Sequence, residues 1–546
     1  MLMNFDTEFT FASRRSPVVG RRGMVAASQP LAVAAGLEIL RQGGNAADAA
    51  VATAAALNVT EPTSTGIGGD CFALFYDAKT KKISALNGSG RAPAAISLEL
   101  LQKQGFKDEL PPFHAHTVTV PGAAAGWCDL VEQHGRLKMR EILAPAIRLA
   151  EEGFSVAPLT SYFWERGAAN QLSKAANGRE LTLDGRAPQP GERFHNLGLA
   201  RTFRALAEGG KDAFYQGEIT QALVQIVRDS GGVMTIEDLA AHHSTWDNPI
   251  STTYRGFRVW ECPPNGQGLA TLLALNILEP LELRKLEPLG AERFHLLIEA
   301  MRLAFADTRW FVADPATNSA PLDAMLSAEY ASKRRELIDR KQANTSFSHG
   351  APTSSSDTVY LCVVDEEGSA CSFINSNYYG FGTGIVPKGW GFTLQNRGFG
   401  FSLDPGHPNA LAPGKRPYHT IIPALITREH DDSLFACYGV MGGFMQPQGH
   451  LQVAVGLIDD ELDPQSALDR PRFCIEDGTP AGSVSLEDGV PPSTLAALEE
   501  LGHSVKRVTG MERALFGRGQ VILRDPHSGT LWGGSDPRAD GMAMTL

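Results

Sequence analysis

A threonine that follows a polar, turn-rich stretch has the most distinctive chemical setting in this sequence. Residues 341–357, KQANTSFSHGAPTSSSD, are almost free of large apolar side chains, which indicates an exposed loop. Thr358 then opens the apolar, β-branched run TVYLCVVD, and DEEG turns the chain back into SACSFIN, as in a β-hairpin. Local sequence favours a surface loop that enters a core hairpin. The alternative is that the chain is cut between Asp357 and Thr358.

Cleavage at that point would give Thr358 a base of its own. A threonine hydroxyl is a weak nucleophile and needs an adjacent base. The free α-amine of a terminal residue has a reference pKa of about 7.7–8.0, so a useful fraction is unprotonated near neutral pH. A terminal threonine that uses its own amine is a known variant of the nucleophile–base pair. The cut would leave fragments 1–357 and 358–546.

Composition excludes several classes of protein. The chain has 546 residues, of which 43% are hydrophobic, so a large core is expected. The net charge of −12 and the lack of a dense Lys/Arg block disfavour nucleic acid and anionic membranes as partners. No run of about 18 apolar residues predicts a membrane span, and the N-terminus has no apolar signal segment. We therefore expect a cytoplasmic protein.

Cofactor and metal motifs are incomplete. The seven cysteines are odd in number, scattered and without a CxxC pair, which argues against disulfides and zinc. The glycine-rich GFGTGIV and GIGGD do not complete a dinucleotide-binding pattern, and no phosphate-binding loop occurs. Two histidine pairs, His114 with His116 and His242 with His243, lack a third ligand at a recognised spacing. We expect no cofactor and no metal.

The surrounding pattern predicts the elements that position Thr358. Residues 28–57 predict two helices, the first capped by Ser28 and the second, alanine-rich, by Asn45. A glycine turn then feeds one strand at 66–77, and a second strand ends at Arg91. Residues 358–546 are richer in strands than the preceding part of the chain. The other helices are predicted at 140–152, 198–207, 218–230 and 292–307.

A series of ordered motifs over almost the whole chain resembles the γ-glutamyltranspeptidase family of N-terminal-nucleophile hydrolases. The matching segments are MVAASQPLAVAAGLEILRQGGNAADAAVA, EPTSTGIGGDCF, GRAP, VPGAAAGW, DAFYQGEI, DTVYLCVVDEEGSA, GFGTGI, GKRPYHTIIPAL, MGGFMQPQGHLQ and GGSDPRADG. The resemblance implies an α+β fold, a four-layer αββα sandwich. It implies a large subunit, 1–357, and a small subunit, 358–546, intertwined as one structural domain, and it leaves a homo-oligomer open.

The resemblance also implies catalytic roles for particular residues. Thr358 matches the nucleophile that autocatalytic cleavage releases, and Ser376 matches a second hydroxyl that steadies it. Gly442 and Gly443 match the backbone donors of an oxyanion hole, where glycine permits close approach. Arg91 matches the arginine that binds the carboxylate of the acyl donor, a task that suits a planar guanidinium.

Other positions depart from the family pattern in the acyl-donor pocket. Tyr378 replaces an asparagine. Arg397 and Gly400 replace the glutamine and aspartate that hold the donor's α-amino group, and His419-Thr420 replaces paired serines. The lid loop of many relatives is missing, because only ALAP separates PGHPN from GKRP. A donor ammonium would meet a cation instead of a carboxylate, which is unfavourable.

These matches and departures lead to three functional hypotheses. The nearest is a self-processing amidohydrolase that cleaves γ-glutamyl, glutathione-type amides through an acyl-enzyme on Thr358. The altered pocket leaves open an acylase for glutaryl-type or oxamate-type amides. A non-catalytic binding protein on the same scaffold is the third, and intact Thr358, MGG and Arg91 argue against it. The expected partners are a small-molecule amide and the two fragments of the chain itself.

Overall fold

The computed structural model describes residues 15–347 and 357–546. Its helices are α1 (Pro30–Arg41), α2 (Ala46–Thr60), α3 (Leu98–Lys103), α4 (Ala123–His134), α5 (Met139–Glu152), α6 (Pro158–Gly167), α7 (Leu197–Tyr215), α8 (Glu218–Asp229), α9 (Ile236–Ala240), α10 (Leu269–Leu278), α11 (Ala291–Phe311), α12 (Leu322–Met325), α13 (Ala328–Arg335), α14 (Met445–Ile458), α15 (Pro464–Asp469) and α16 (Pro492–Glu500). Its strands are β1 (Val18–Gly20), β2 (Met24–Ala27), β3 (Asp70–Asp77), β4 (Lys82–Gly88), β5 (Phe154–Ser155), β6 (Arg193–Phe194), β7 (Thr245–Asp247), β8 (Ile250–Tyr254), β9 (Phe257–Glu261), β10 (Asp357–Val364), β11 (Ala370–Tyr378), β12 (Ala424–Arg428), β13 (Leu434–Met441), β14 (Phe473–Ile475), β15 (Val484–Glu487), β16 (Val505–Val508), β17 (Arg518–Arg524), β18 (Leu531–Ser535) and β19 (Met542–Thr545).

Two large antiparallel sheets form the centre of the described structure. The β10 sheet has the order β19-β2-β10-β11-β3-β4-β7, and the β13 sheet has the order β1-β18-β17-β13-β12-β9-β8. Each sheet mixes strands from before and after residue 357, so the two parts of the chain share one fold. β10 lies inside its sheet, paired with β2 on one side and β11 on the other.

Strand β10 shows why the sheets stack in layers. Its alternate residues Val359, Leu361 and Val363 pack into the core beneath α1, α2, α4 and α5. The intervening side chains of Tyr360 and Cys362 face the β13 sheet instead. This period-2 alternation buries both faces of the strand. A third core lies between the other face of the β13 sheet and α10, α11 and α14. The fold is therefore the expected α+β four-layer αββα sandwich.

The helix pair near the N-terminus confirms one predicted cap and corrects the other. Asn45 accepts hydrogen bonds from the amides of Ala47 and Asp48 and completes a capping box. Ser28 does not cap α1, because the helix begins after Gln29 and the Ser28 hydroxyl donates to the buried Glu61 carboxylate. Every residue of α2 is buried, so small alanines are needed for close packing against α1, α5 and β10.

The other predicted elements agree with the structure except at two boundaries. The helices predicted at 140–152, 218–230 and 292–307 correspond to α5, α8 and α11. The helix predicted at 198–207 continues to Tyr215 through a bend at Gly210, whose φ is +58°. β4 ends at Gly88, before Arg91, because the amide of Gly90 leaves the ladder to donate to Asp70.

The start of the polar segment is anchored rather than free. The amide of Ala343 donates to the carbonyl of Leu501 at 2.7 Å, and the amide of Asn344 donates to Glu299 Oε2 at 3.1 Å. These bonds hold the chain close to α11 and α16. Residues 348–356 of the expected loop lie outside the described residues.

Two further expectations concern cysteine chemistry and membranes. All seven cysteines are buried and unbridged. In the described parts of the chain, no helix combines the length and the apolar composition that crossing a bilayer requires.

The glycine turn before β3 lets the start of that strand lie close to β11. A Cβ atom on Gly69 would lie 2.2 Å from the carbonyl oxygen of Ser376, and one on Gly68 would lie 2.2 Å from that of Thr393. Real Cβ atoms do not come so near to backbone oxygen, so only glycine lets the turn pack against the end of β11 that carries Ser376.

We expect Gly69→Ala to lower the free energy of unfolding by about 1–3 kcal/mol, because backbone must move to admit the methyl group. Chemical denaturation of the purified protein measures this. Gly456→Ala is the matched control, since its Cβ would meet its neighbours at 3.6 Å or more inside α14, and it should change stability by less than about 1 kcal/mol. Equal effects of the two substitutions would contradict the packing argument.

Candidate active site

Thr358 lies near the start of β10 and is fully buried. A register shift in the pairing of β10 with β11 falls between Asp357 and Val359. The Thr358 hydroxyl donates to Ser376 Oγ at 3.2 Å. Gln446 Nε2, in the first turn of α14, donates to the Thr358 oxygen at 3.5 Å. The hydroxyl is therefore held between the middle of one sheet and the N-terminus of a helix.

Ser376, near the end of β11, is the centre of a hydrogen-bond group around the threonine. Besides the Thr358 hydroxyl, its oxygen meets the amide of Tyr378 at 2.9 Å and Nη2 of Arg397 at 3.1 Å. The predicted contact between the hydroxyls of Thr358 and Ser376 is thus present, and the Arg397 cation is hydrogen-bonded to Ser376.

Arg397, the residue that replaces the glutamine of the family pattern, lies beside Ser376. It opens a 3₁₀ turn, Arg397–Gly400, and its side chain is completely buried. Nη1 donates to Thr420 Oγ1 at 2.8 Å, and the guanidinium lies 4.1 Å from the ring centre of Tyr378. Burial lowers the pKa of Arg397 to about 10, which leaves it protonated at neutral pH. The cation faces the interior and does not turn outward into a surface ion pair.

Tyr378 reaches this cation through an unusual backbone conformation. Its φ is +82°, in the left-handed region that residues other than glycine rarely adopt. Tyr378 also lies opposite Asp357 across the strand pair, beside the bond expected to break. Backbone of this kind costs about 1–3 kcal/mol and clusters at functional sites.

His419 is buried beside this group but bonds away from it. Its Nε2 donates to Asp70 Oδ2 at 3.0 Å, while its Nδ1 accepts the amide of Ile421 at 3.4 Å. Burial, together with the charge of Arg397, lowers the pKa of His419 to about 3, so the imidazole is neutral. His419 therefore positions Asp70, and its neighbour Thr420 provides the contact to Arg397.

Asp70 is a functional candidate that the sequence analysis did not single out. It starts β3 directly opposite Ser376. Its Oδ1 accepts the amides of Gly90 and Gly122 at 2.9 and 3.1 Å and Nε2 of Gln395 at 3.0 Å. Burial raises its pKa, but the bond from His419 and the charge of Arg397 outweigh burial, and the net pKa is lowered. In the sequence, the only indication that Asp70 is a candidate was its place directly after the glycines of GIGGD.

The two glycines expected to bind an oxyanion form the turn between β13 and α14. Gly442 and Gly443 have φ of +132° and +60°, conformations that favour glycine. Gln267 Nε2 donates to the carbonyls of Gly443 at 2.9 Å and Thr420 at 2.7 Å, which fixes the turn. Among the described residues, neither glycine amide donates a hydrogen bond within the protein. Both amides are thus available to an oxyanion at a helix N-terminus.

Arg91 lies one residue beyond the amide that binds Asp70, but it does not contact Thr358 or Ser376. Its Nη1 donates to the carbonyl of His243 at 3.4 Å. The same carbonyl accepts Nη2 of Arg416 at 3.4 Å, so two guanidinium groups meet at one oxygen. Burial and the positive charge of Arg91 lower the pKa of Arg416 to about 10.

Gly400 ends the 3₁₀ turn and brings no side chain to the position where the sequence comparison expected a carboxylate. Its carbonyl accepts Nδ2 of Asn409 at 2.7 Å, and a Cβ at this position would lie 3.0 Å from the carbonyl of Tyr418. The short connection at 410–413 folds back onto the segment just after the 3₁₀ turn, where the amide of Leu411 donates to the carbonyl of Ser402 at 2.9 Å.

A cleft of about 780 Å³ leads to the oxyanion turn. Gly442, Phe444 and Met445 form one side, and Tyr379 with Gly380 forms another. The cleft therefore joins the turn that would bind the oxyanion to the residues that follow Tyr378. The buried Thr358 and Ser376 do not line this cleft, so its opening ends at the Gly442 side of the turn.

One group of potential metal ligands lies elsewhere, beneath the anchored segment. Atoms of His295, Glu299 and His503 all lie within 4.8 Å of one another. The two imidazoles are hydrogen-bonded at 2.8 Å, and Nε of Arg302 lies 3.7 Å from Glu299 Oε1. A proton already joins the two histidines and a cation faces the carboxylate, so the group does not fit a metal ion well.

Comparison with known proteins identifies the family. The sequence model of the Gamma-glutamyltranspeptidase family matches residues 32–546. The chain is 36% identical to the glutathione hydrolase-like YwrD proenzyme of Bacillus subtilis (strain 168), over 97% of this chain and 99% of that protein. It is 34% identical to the oxamate amidohydrolase proenzyme of Klebsiella pneumoniae, over 96% and 98% of the two chains.

A solved structure is similar over the whole chain. The crystal structure described as cephalosporin acylase from Bacillus halodurans has a TM-score of 0.93 and 45% identity, with 100% of this chain and 99% of that chain covered. The names of the two proenzymes thus refer to different substrates, glutathione and oxamate. The arrangement of Thr358, Ser376 and the MGG turn, with these matches, leads to one conclusion: this chain is an enzyme of the γ-glutamyltranspeptidase family of N-terminal-nucleophile hydrolases.

Proposed function

We propose that the protein cuts itself between Asp357 and Thr358 and then hydrolyses amides whose acyl group carries a carboxylate and no ammonium, as in glutaryl-type or oxamate-type amides. Thr358 carries the acyl group, and Ser376, Gly442 and Gly443 assist it. Arg91 recognises the donor's carboxylate.

The distribution of charge around Asp70 is the observation that carries the substrate class. Arg91, Arg397 and Arg416 donate to hydroxyl and carbonyl oxygens only. Within the described residues, none of the three forms an ion pair. Asp70, the carboxylate that acts on Arg397, already binds His419, Gln395 and two amides, while Asp314 and Asp247 act on Arg416. Such a pocket attracts an anion and repels an ammonium group.

A Coulomb estimate shows that this repulsion is large enough to decide the donor. Two unit charges about 4 Å apart at an effective dielectric of about 20 interact by about 4 kcal/mol before screening. A difference of 1.4 kcal/mol already changes an equilibrium constant by about tenfold. An α-ammonium beside Arg397, with no acid at Gly400, therefore disfavours γ-glutamyl donors.

The proposed reaction uses the groups described above in sequence. In the cut protein the α-amine of Thr358 takes the hydroxyl proton as the oxygen attacks the amide carbon. The amides of Gly442 and Gly443 stabilise the negative charge that develops on the carbonyl oxygen. The protonated amine then gives its proton to the leaving nitrogen, and an ester to Thr358 remains. Water attacks this ester by the same route, releases the acid and restores the threonine.

A second candidate is hydrolysis of γ-glutamyl amides such as glutathione. It is favoured by the name of the Bacillus subtilis relative and by the GRAP motif around Arg91. In that case the ammonium group would have to bind away from Arg397. The two candidates share the nucleophile and differ in the donor alone, so a comparison of donors separates them.

We expect the purified protein to consist of two fragments, because the terminal amine that serves as base does not exist before the cut. The smaller, residues 358–546, should be about 20 kDa of the 58.6 kDa chain, and its N-terminal sequence should read TVYLCVV. Thr358→Ala should give one full-length band and no turnover. Thr358→Ser, which keeps the hydroxyl and the amine, should still mature. A fully active, uncut chain would refute this proposal.

We expect Arg91→Ala and Arg91→Lys to lower kcat/KM for the best donor, mainly through KM. Lysine keeps the charge but loses the planar fork that binds a carboxylate at two points. Steady-state kinetics with glutaryl anilide measure the loss, and butyryl anilide, which lacks the terminal carboxylate, is the control donor. An unchanged kcat/KM in Arg91→Ala would remove Arg91 from the donor site.

We expect glutaryl anilide to be a better substrate than γ-glutamyl anilide, and hydrolysis to exceed transfer to added amines. The first follows from Arg397 and Gly400, and the second from the short connection at 410–413, which leaves the acyl-enzyme open to water. The double variant Arg397→Gln with Gly400→Asp should move the preference toward the γ-glutamyl donor by at least about tenfold. A strong γ-glutamyl preference in the natural protein would overturn the proposed donor class in favour of the second candidate.

A further inference from the structure

We propose that Arg397 has a role beyond the donor pocket: acting through Ser376, its cation keeps the terminal amine of cut Thr358 in the unprotonated form that catalysis needs. This inference rests on the proposed function, since the amine exists only after cleavage. It makes Arg397 a positioning residue for the base, a role distinct from substrate binding.

The geometry supplies a short path between the cation and the reacting residue. Nη2 of Arg397 lies 3.1 Å from Ser376 Oγ, and that oxygen lies 3.2 Å from Thr358 Oγ1. Nη1 is tied to Thr420 at 2.8 Å, which holds the guanidinium in place from the other side. The residue is completely buried, and its Nε has no hydrogen-bond partner among the described residues. Water does not screen this charge as it would at the surface.

The sign of the effect follows from like charges. An ammonium group at the N-terminus of Thr358 would belong to the residue whose hydroxyl contacts the same Ser376 oxygen as the guanidinium. Like charges on these neighbouring groups disfavour the protonated form. The amine then remains a free base to lower pH than an ordinary α-amine does. A glutamine at this position, as in the family pattern, supplies hydrogen bonds without this charge.

The other charged groups near the site do not cancel the cation. Asp70 on β3 is the opposing charge, but it is saturated by His419, Gln395 and two backbone amides. His419 is neutral. Arg416, whose charge interacts with Asp70 and His419, adds positive charge. Without Arg397, the carboxylate of Asp70 would favour the protonated amine. Losing the cation and keeping Asp70 would therefore both raise the pKa of the amine.

Other arginines around the site, Arg518 and Arg309 among them, are already engaged. Arg518 on β17 pairs with Glu61 at 2.8 Å. Arg309 on α11 is stacked 3.8 Å from the ring centre of Phe444 and donates to the carbonyl of Asp477. From α14, the side chain that meets Thr358 is the uncharged Gln446. Arg397 is therefore the cation tied by hydrogen bonds to the nucleophile's partner.

The test is the pH dependence of kcat/KM for glutaryl p-nitroanilide between pH 5 and 9, measured on cut protein. This ratio reports groups of the free enzyme, and the substrate carboxylate does not titrate in that range. The natural protein should have an acid-limb midpoint below the reference value of about 7.7 for an α-amine. Arg397→Gln should raise that midpoint by about one pH unit. Arg397→Lys should keep it near the natural value, since the charge remains.

Weaker substrate binding cannot imitate this result, because it lowers the whole curve without moving its midpoint. Arg428→Gln is the control, since Arg428 is a largely buried arginine at the end of β12 that donates to the backbone carbonyls of Leu434 and Arg524 and to Ser433 Oγ. It should leave the midpoint unchanged.

A natural midpoint at or above 7.7, or equal midpoints in the natural protein and Arg397→Gln, would overturn the inference. If Arg397→Gln does not cut itself, the natural midpoint alone decides. Failure of the proposed function is a separate result: then the chain would stay uncut, or the cut protein would hydrolyse no acyl anilide at any pH.

Discussion

The contact between the hydroxyls of Thr358 and Ser376 is the interaction on which the rest of the site depends. It spans neighbouring strands of a buried sheet at a register shift, and the strand pairs on either side, Asp357–Tyr378 and Val359–Asn375, hold the two hydroxyls 3.2 Å apart. Groups held on sheet elements keep their geometry better than groups on mobile segments. The other candidate groups are arranged around these two hydroxyls.

Three elements converge on that pair, and each brings a different chemical property. The start of α14 brings Gln446 and the two glycine amides, which can donate hydrogen bonds to a negatively charged oxygen. The 3₁₀ turn after Asn396 brings the Arg397 cation to Ser376. The beginning of β3 brings Asp70, whose charge is balanced by His419 and backbone amides. On the proposed function, the donor pocket would change at the turn while the nucleophile pair stays on the sheet, so that one fold could serve several acyl donors.

Sequence patterns predicted the parts of this structure that local interactions decide. The hairpin of β10 and β11 follows from alternating apolar residues and the DEEG turn, and the Asn45 cap follows from contacts within three residues. Ser28 was assigned wrongly because its partner, Glu61, lies 33 residues away. The bond between Asp70 and His419 spans 349 residues, and the bond between Gln446 and Thr358 spans 88, so no local pattern contains them. The direction of Arg397 could not be derived either, since Ser376 and Thr420 together determine it.

The central claim is that Thr358 becomes a terminal nucleophile that carries the acyl group. Intact-mass spectrometry of the protein, quenched during turnover of glutaryl anilide and followed by peptide mapping, tests it most directly. The account predicts one added glutaryl group on the 358–546 fragment, located at Thr358 and lost again as the substrate is exhausted. An acyl group on any other residue, or turnover by a chain in which Thr358 is never acylated, would contradict it.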